Sequence, residues 1–180
     1  MASQENEKDK NGKKRLLLLL LLLLLLIIAV SVTIWALFFR STPTLTPDYA
    51  PRQEEKYAED IGDNNESKMS QAKGGGAVSL TYTTNVEIDL SSNVADLYFA
   101  NPSKSNQDIV LQIVVKDVII AQSGTISPGK QISKLSLLSD AAAKLSAGGY
   151  NGEFKVLYYQ PDTHEKTIVN TEIPVNITVK

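Results

Sequence analysis

The chain has 180 residues, a formal net charge of −2 and no cysteine. The charge balance offers no basic footprint for nucleic acid. The lack of thiols excludes disulfides, thiolate metal sites, cysteine catalysis and a lipidated-cysteine anchor.

A polar stretch, 1–15, precedes residues 16–39, which contain no charge and no proline. Leu16 to Leu26 is an unbroken leucine run, continued by Ile27, Ile28, Ala29 and Val30. At 1.5 Å per residue this makes a helix of roughly 36 Å, enough to cross a ~30 Å hydrocarbon core. Ser31 and Thr33 can return their hydroxyls to the helix backbone, and Trp35 stands near the far end, where an indole favours the headgroup layer. Lys13, Lys14 and Arg15 pack against the start of the run, with Lys8 and Lys10 behind them; on the far side only Arg40 is close. This bias predicts a cytoplasmic N-terminus and an external C-terminus. The apolar run is longer than that of a cleaved signal peptide, and Trp35 to Phe39 is bulky where a peptidase needs small residues. No Gly-x-x-x-Gly face is present for helix pairing, so the span reads as a passive anchor.

Residues 40–76 read as a flexible stalk. Three prolines between Pro43 and Pro51 favour extended chain. Seven acids from Asp48 to Glu66, against Arg52 and Lys56, leave too little apolar surface to offset the entropy of folding. Gly74-Gly75-Gly76 closes the segment as a joint without the lysine and serine of a phosphate loop. Asn65-Glu66-Ser67 and Asn176-Ile177-Thr178 fit the glycosylation sequon, which has meaning only in a eukaryotic secretory pathway.

From residue 77 to 180 the apolar pattern has period two, the mark of half-buried strands. Val78, Leu80 and Tyr82 alternate with polar residues, as do Val86, Ile88 and Leu90, then Ala95, Leu97 and Phe99. Ile109, Leu111, Ile113 and Val115 carry apolar neighbours as well, which predicts a central strand. A short strand follows from Val118 to Gln122, then a turn at Ser127-Pro128-Gly129, where Pro128 presets φ and Gly129 supplies a positive one. Further strands are expected over 132–138, from Tyr150 to Tyr158, and over 173–179; Pro174 lacks an N–H and predicts an edge or a bulge. Between them, 140–145 suits a helical turn that Asp140 is able to cap. Leu145-Ser-Ala-Gly-Gly-Tyr150 has the form of a tyrosine corner, in which the Tyr150 hydroxyl bonds back to nearby backbone. The expected fold is therefore all-β, an immunoglobulin- or fibronectin-III-like two-sheet sandwich behind a single transmembrane helix.

The series Leu97-Tyr-Phe-Ala-Asn-Pro102, Ile120-Ala-Gln-Ser-Gly-Thr-Ile-Ser-Pro-Gly129 and Leu145-Ser-Ala-Gly-Gly-Tyr150 resembles the sandwich modules of membrane-anchored, extracytoplasmic proteins of Gram-positive bacteria. The anchor and acidic stalk are similar to theirs as well, and the lack of disulfide staples agrees with a bacterial envelope. Many such proteins have no assigned function. The resemblance implies a fold and a location at the plasma membrane, and it carries over no catalytic residue.

Candidate chemistry is sparse. His164 is the only histidine; with Asp162 and Glu165 it falls short of the ligands and support of a zinc site, and a polar hairpin tip explains it. No Gly-x-Ser-x-Gly elbow accompanies the serines. Asp96, Asp108 and Asp117 read as exposed-face or loop carboxylates with no apolar pocket around them, and Glu87 and Asp89 as solvated. No enzyme, metal or cofactor is expected. Tyr98, Tyr158 and Tyr159 are the stronger leads, able to anchor a protein contact or stack on a glycan if they share an outward face. Alternation places one of Tyr158 and Tyr159 inward. The expected role is a membrane-tethered surface module contacting an extracytoplasmic protein partner, with carbohydrate or cell-wall binding as the alternative.

Overall fold

The structure is a computed structural model that describes residues 2–39, 47–62, 66–70 and 76–180. The chain divides into two units, one holding the N-terminal helix and the other the β-rich remainder.

Helix α1 runs Ala2–Phe39, so helical backbone continues through the polar tail that precedes the apolar run. Within it Leu16–Thr33 is long and apolar enough to cross a membrane, with mean hydropathy 3.3. Its side chains are unburied by protein: Leu16 and Leu26 are each 61% exposed. The Thr33 hydroxyl donates to Ala29 O at 2.8 Å, which satisfies it inside an apolar stretch. The Trp35 side chain lies outside the described residues, as do Arg40, Asn65, Gly74 and Gly75.

Among its described residues the second unit has nine strands: β1 (Ala58–Asp60), β2 (Thr81–Tyr82), β3 (Asn85–Asp89), β4 (Val94–Asn101), β5 (Asp108–Val115), β6 (Val118–Gln122), β7 (Lys130–Ser136), β8 (Gly148–Tyr159) and β9 (Lys166–Val179). A short helix, α2 (Ala141–Lys144), lies between β7 and β8. The strands form one sheet in the order β1-β7-β4-β3-β9-β8-β5-β6, and β2 pairs with β4 beyond the end of β3. The β3–β9 pairing is parallel, Asn85 to Ile88 against Asn176 to Val179; every other strand pairing is antiparallel. The sheet curls on itself. Its last strand, β6, reaches the chain just beyond β7 through the Ala121–Leu137 bridge and the bond from Leu138 N to Ile120 O.

The curl encloses one main core. Period-two alternation supplies Val86 and Ile88 from β3, Ala95, Leu97 and Phe99 from β4, and Ile173, Val175, Ile177 and Val179 from β9. Phe99 and Phe154 meet edge to face, with ring centroids 5.9 Å apart. Each fully buried side chain of this size contributes about 1.5–3 kcal/mol relative to exposure. Pro174 is exposed and precedes the stretch of β9 that β3 pairs, so its missing N–H interrupts no ladder on that side.

Strand β5 is buried along its whole length. Ile109, Leu111, Ile113 and Val115 face the main core, while Val110 belongs to a second cluster with Leu157, Tyr159 and Ala50 on the opposite face of the sheet. Ala50 comes from the segment expected to be stalk. That expectation fails for 47–62 and 66–70, because their polar backbone finds partners on the body and so need not bury many apolar side chains of its own. Ala50 N donates to His164 O (2.7 Å), Lys166 N to Asp48 O (2.8 Å), Glu55 N to Thr125 O (2.8 Å) and Ile61 N to Gly129 O (2.9 Å). The Tyr159 hydroxyl donates to Pro47 O at 3.0 Å. Residues 58–60 then join the sheet as β1, Ala58 opposite Ile132. Gly124 permits the close crossing: a Cβ there would stand 2.8 Å from Gln53 O. We call residues 47–60 the strap. Further on, Met69 N donates to Lys104 O (2.8 Å) and Lys68 Nζ to Ser105 O (2.7 Å).

Asp140 makes no side-chain cap for α2; its carboxylate pairs with Lys144 instead, since a four-residue helix places that ammonium one turn away. The first strand shrinks to Thr81–Tyr82, while Val78 and Leu80 pack on the core as irregular chain.

Candidate functional site

Sequence-derived candidates divide into those spent on the fold and those that share a cleft. The tyrosines belong to the first group. Tyr158 is 6% exposed and its hydroxyl shares a 2.7 Å hydrogen bond with that of Thr171; Tyr159 is fully buried. Alternation does place them on opposite faces, but the strap covers the outward one. Burial, with the Asp48 charge nearby, pushes the Tyr159 hydroxyl up to about 12, and burial also raises Tyr158. Tyr98 is half-buried and donates to Gln131 Oε1 at 3.0 Å. The three do not form an outward platform.

Tyr150 and Leu145 act in the turn before β8. The Tyr150 hydroxyl donates to Ser146 O (3.0 Å) and accepts from Ser146 N (3.2 Å), while Leu145 is buried below. Gly148, at φ +145°, has the backbone freedom that this reversal needs. Pro128 and Gly129 form the turn into β7, with Gly129 at φ +90° and its N–H donating to Asn101 O at 2.7 Å.

Among the acids, Asp96 is exposed opposite Lys134, Asp117 sits at φ +62° in the β5–β6 turn, and Glu87 accepts from Lys180 Nζ at 2.6 Å. Asp89 is exposed. Its carboxylate accepts from Ser91 Oγ (2.6 Å), Ser92 Oγ (2.9 Å) and Ser91 N (2.8 Å), which hold it down at about 2.

Asp108 departs from the sequence reading. It opens β5 and is only 5% exposed. Burial raises its carboxyl above the usual range; the Ser127 hydroxyl beside it and the charges of His164 and Lys68 pull the other way, while Glu54 adds to the rise. It lines a cleft of about 720 Å³ with Lys68, Met69, Asn106, Ser127, Pro128, Pro161 and His164. That volume lies within the roughly 300–1,000 Å³ typical of ligand sites.

Four parts of the fold assemble this cleft. Residues 66–70 lie along the 103–106 loop, with Lys68 Nζ anchored on Ser105 O. Asn106 is fixed by its Oδ1 accepting from Ala77 N at 2.7 Å. Ser127 and Pro128 come from the turn before β7. His164, at φ +60°, is held by its N–H donating to Gln160 O (2.7 Å) and by the strap at its carbonyl. Among the described residues no three His, Cys, Asp or Glu side chains converge as metal ligands. The sequence hid this site because its members are far apart in the chain, and because Asp108 is buried by segment 66–70 and by turns whose placement no local pattern reveals.

No protein-family profile and no curated protein matches the chain. Among solved structures it is similar to AggA, the major subunit of aggregative adherence fimbriae type I from Escherichia coli, at 11% identity and a TM-score of 0.29, over 64% of this chain and 100% of that one.

Proposed function

We propose that this chain is a non-enzymatic, single-pass membrane protein that presents its β body outside the cytoplasm for contact with other proteins of the envelope. The observation that carries the reading is the pairing of an 18-residue apolar, unburied helical stretch with a separate β unit. The lysines and arginine before the helix favour an external C-terminus. Within the β unit, the parallel β3–β9 pairing, the β4–β7 and β8–β5 neighbours and the Tyr150–Ser146 bond support an immunoglobulin-like arrangement, and with it the resemblance to Gram-positive surface modules. Glycan stacking on Tyr158 and Tyr159 loses support, because both rings are buried.

The chain lacks cysteine, so single introduced thiols report topology cleanly. Val169→Cys, at a position 67% exposed, should react with a membrane-impermeant maleimide on intact cells, and Ser3→Cys only after lysis. The reverse pattern, or release of the protein by a salt wash, would sink this reading. In-cell cross-linking from Val169 should then capture an envelope protein.

A further inference from the structure

We propose that the Asp108 cleft is a receptor for a lysine side chain presented by a peptide segment of a partner protein, an inference that rests on the surface-contact reading above. The carboxylate of Asp108 stands at the cleft with its residue 95% withdrawn from solvent. A desolvated carboxylate gains most from an ammonium that replaces the lost water. The cleft walls include Met69, Pro128 and Pro161, apolar surface suited to the methylene stem behind such a headgroup. The pocket exceeds one side chain, so the flanking peptide has room. The Asn106 amide is held by Ala77 N and Met69 O and the Ser127 hydroxyl by Asp108 itself, so recognition centres on the lysine headgroup and stem.

Burial favours a cation over an anion. The charges around the cleft are mixed, Asp108 and Glu54 against Lys68 and His164, but Asp108 is the buried group, whereas Lys68 is exposed and keeps contact with water. Lys68 is therefore a competing cation at the rim. Removing it should strengthen binding of an ammonium and weaken binding of a carboxylate or phosphate.

The test uses the full chain in lipid nanodiscs, titrated by NMR with acetyl-Gly-Lys-Gly-amide and with the same peptide carrying norleucine. The lysine peptide should bind and shift the amides around Asn106 to Ile109, while the norleucine peptide does not. Asp108→Asn should weaken binding roughly 10- to 100-fold, the loss expected for a hydrogen bond to a charged group. Lys68→Met, on an exposed side chain, should tighten it. Equal binding of both peptides, retention in Asp108→Asn or weakening in Lys68→Met would overturn the proposal, as would binding of a chitin oligosaccharide at the cleft in place of the peptide. The peptide contrast on the unmodified protein stands even if Asp108→Asn fails to fold. Loss of peptide binding with in-cell cross-links retained would remove the lysine site alone. Failure of the external labelling would remove the surface reading itself.

Discussion

Glu55 is the residue whose loss should free the strap while leaving the main core intact. The residue is 8% exposed, and its carboxylate accepts the Gly124 N–H at 2.7 Å. The neighbouring backbone bonds, Glu55 N to Thr125 O and Thr125 N to Gln53 O, belong to the same crossing. A hydrogen bond to a charged acceptor is worth about 1.5–3 kcal/mol, and Glu55→Ala also leaves a partly buried amide without a partner. At about 1.4 kcal/mol per tenfold, the open population of the strap should rise roughly 10- to 100-fold. None of the main-core residues is touched, so global unfolding should change far less.

Trypsin reads this directly, because Arg52 and Lys56 are exposed within the strap. Where closing outpaces cleavage, the rate tracks the open fraction. The unmodified protein should resist cutting after Arg52 and Lys56, Glu55→Ala should be cut roughly 10- to 100-fold faster, and Glu55→Gln should fall between. Gly124→Ala should mimic Glu55→Ala by a different route, since its methyl would press on Gln53 O. Rapid cutting of the unmodified protein at both sites, as in a free spacer, would refute the docked strap.

Other outcomes follow from the same geometry. Tyr150→Phe removes the bonds to Ser146 and should lower the urea midpoint of unfolding, with faster amide exchange at Ser146. Asp89 should titrate near 2 by NMR: its depressed value adds stability above the ordinary carboxylate range that is lost as pH falls through about 2, and Ser91→Ala should move the titration upward. Tyr159, raised to about 12, stabilises the fold fully below the ordinary phenol value and less as pH rises through its own. Its tyrosinate absorbance, isolated by difference with Tyr159→Phe, should therefore lag that of the exposed tyrosines.

Local pattern made much of the fold legible. The period-two runs mark β3, β4, β8 and β9, the doubly apolar run marks the central strand β5, and the Leu145–Tyr150 and Pro128–Gly129 turns announce their geometry through glycine and proline. The strap was illegible for a physical reason. Its contribution lies in backbone hydrogen bonds to distant chain and in two small apolar residues, Ala50 and Ala58, so composition alone reads it as solvated spacer. The same gap concealed Asp108, whose environment comes from residues at positions 68, 127 and 164, and it hid that both Tyr158 and Tyr159 are buried.

The strap also constrains where a partner can bind. Tyr159, Leu157 and Val110 would form an apolar patch on the outer face of β5 and β8 if residues 47–50 were absent. With the strap docked, that face is taken by the chain itself, as an edge or face left open would invite unwanted association. Contact surface must then come from elsewhere on the β unit. The Asp108 cleft is adjacent to the same strap, since His164 both lines the cleft and accepts the hydrogen bond from Ala50 N. Release of the strap would loosen one wall of the cleft and uncover Tyr159 together, so Glu55→Ala should weaken lysine-peptide binding as well as speed proteolysis. Peptide affinity unchanged in a variant whose strap is demonstrably open would show that the cleft is built without it.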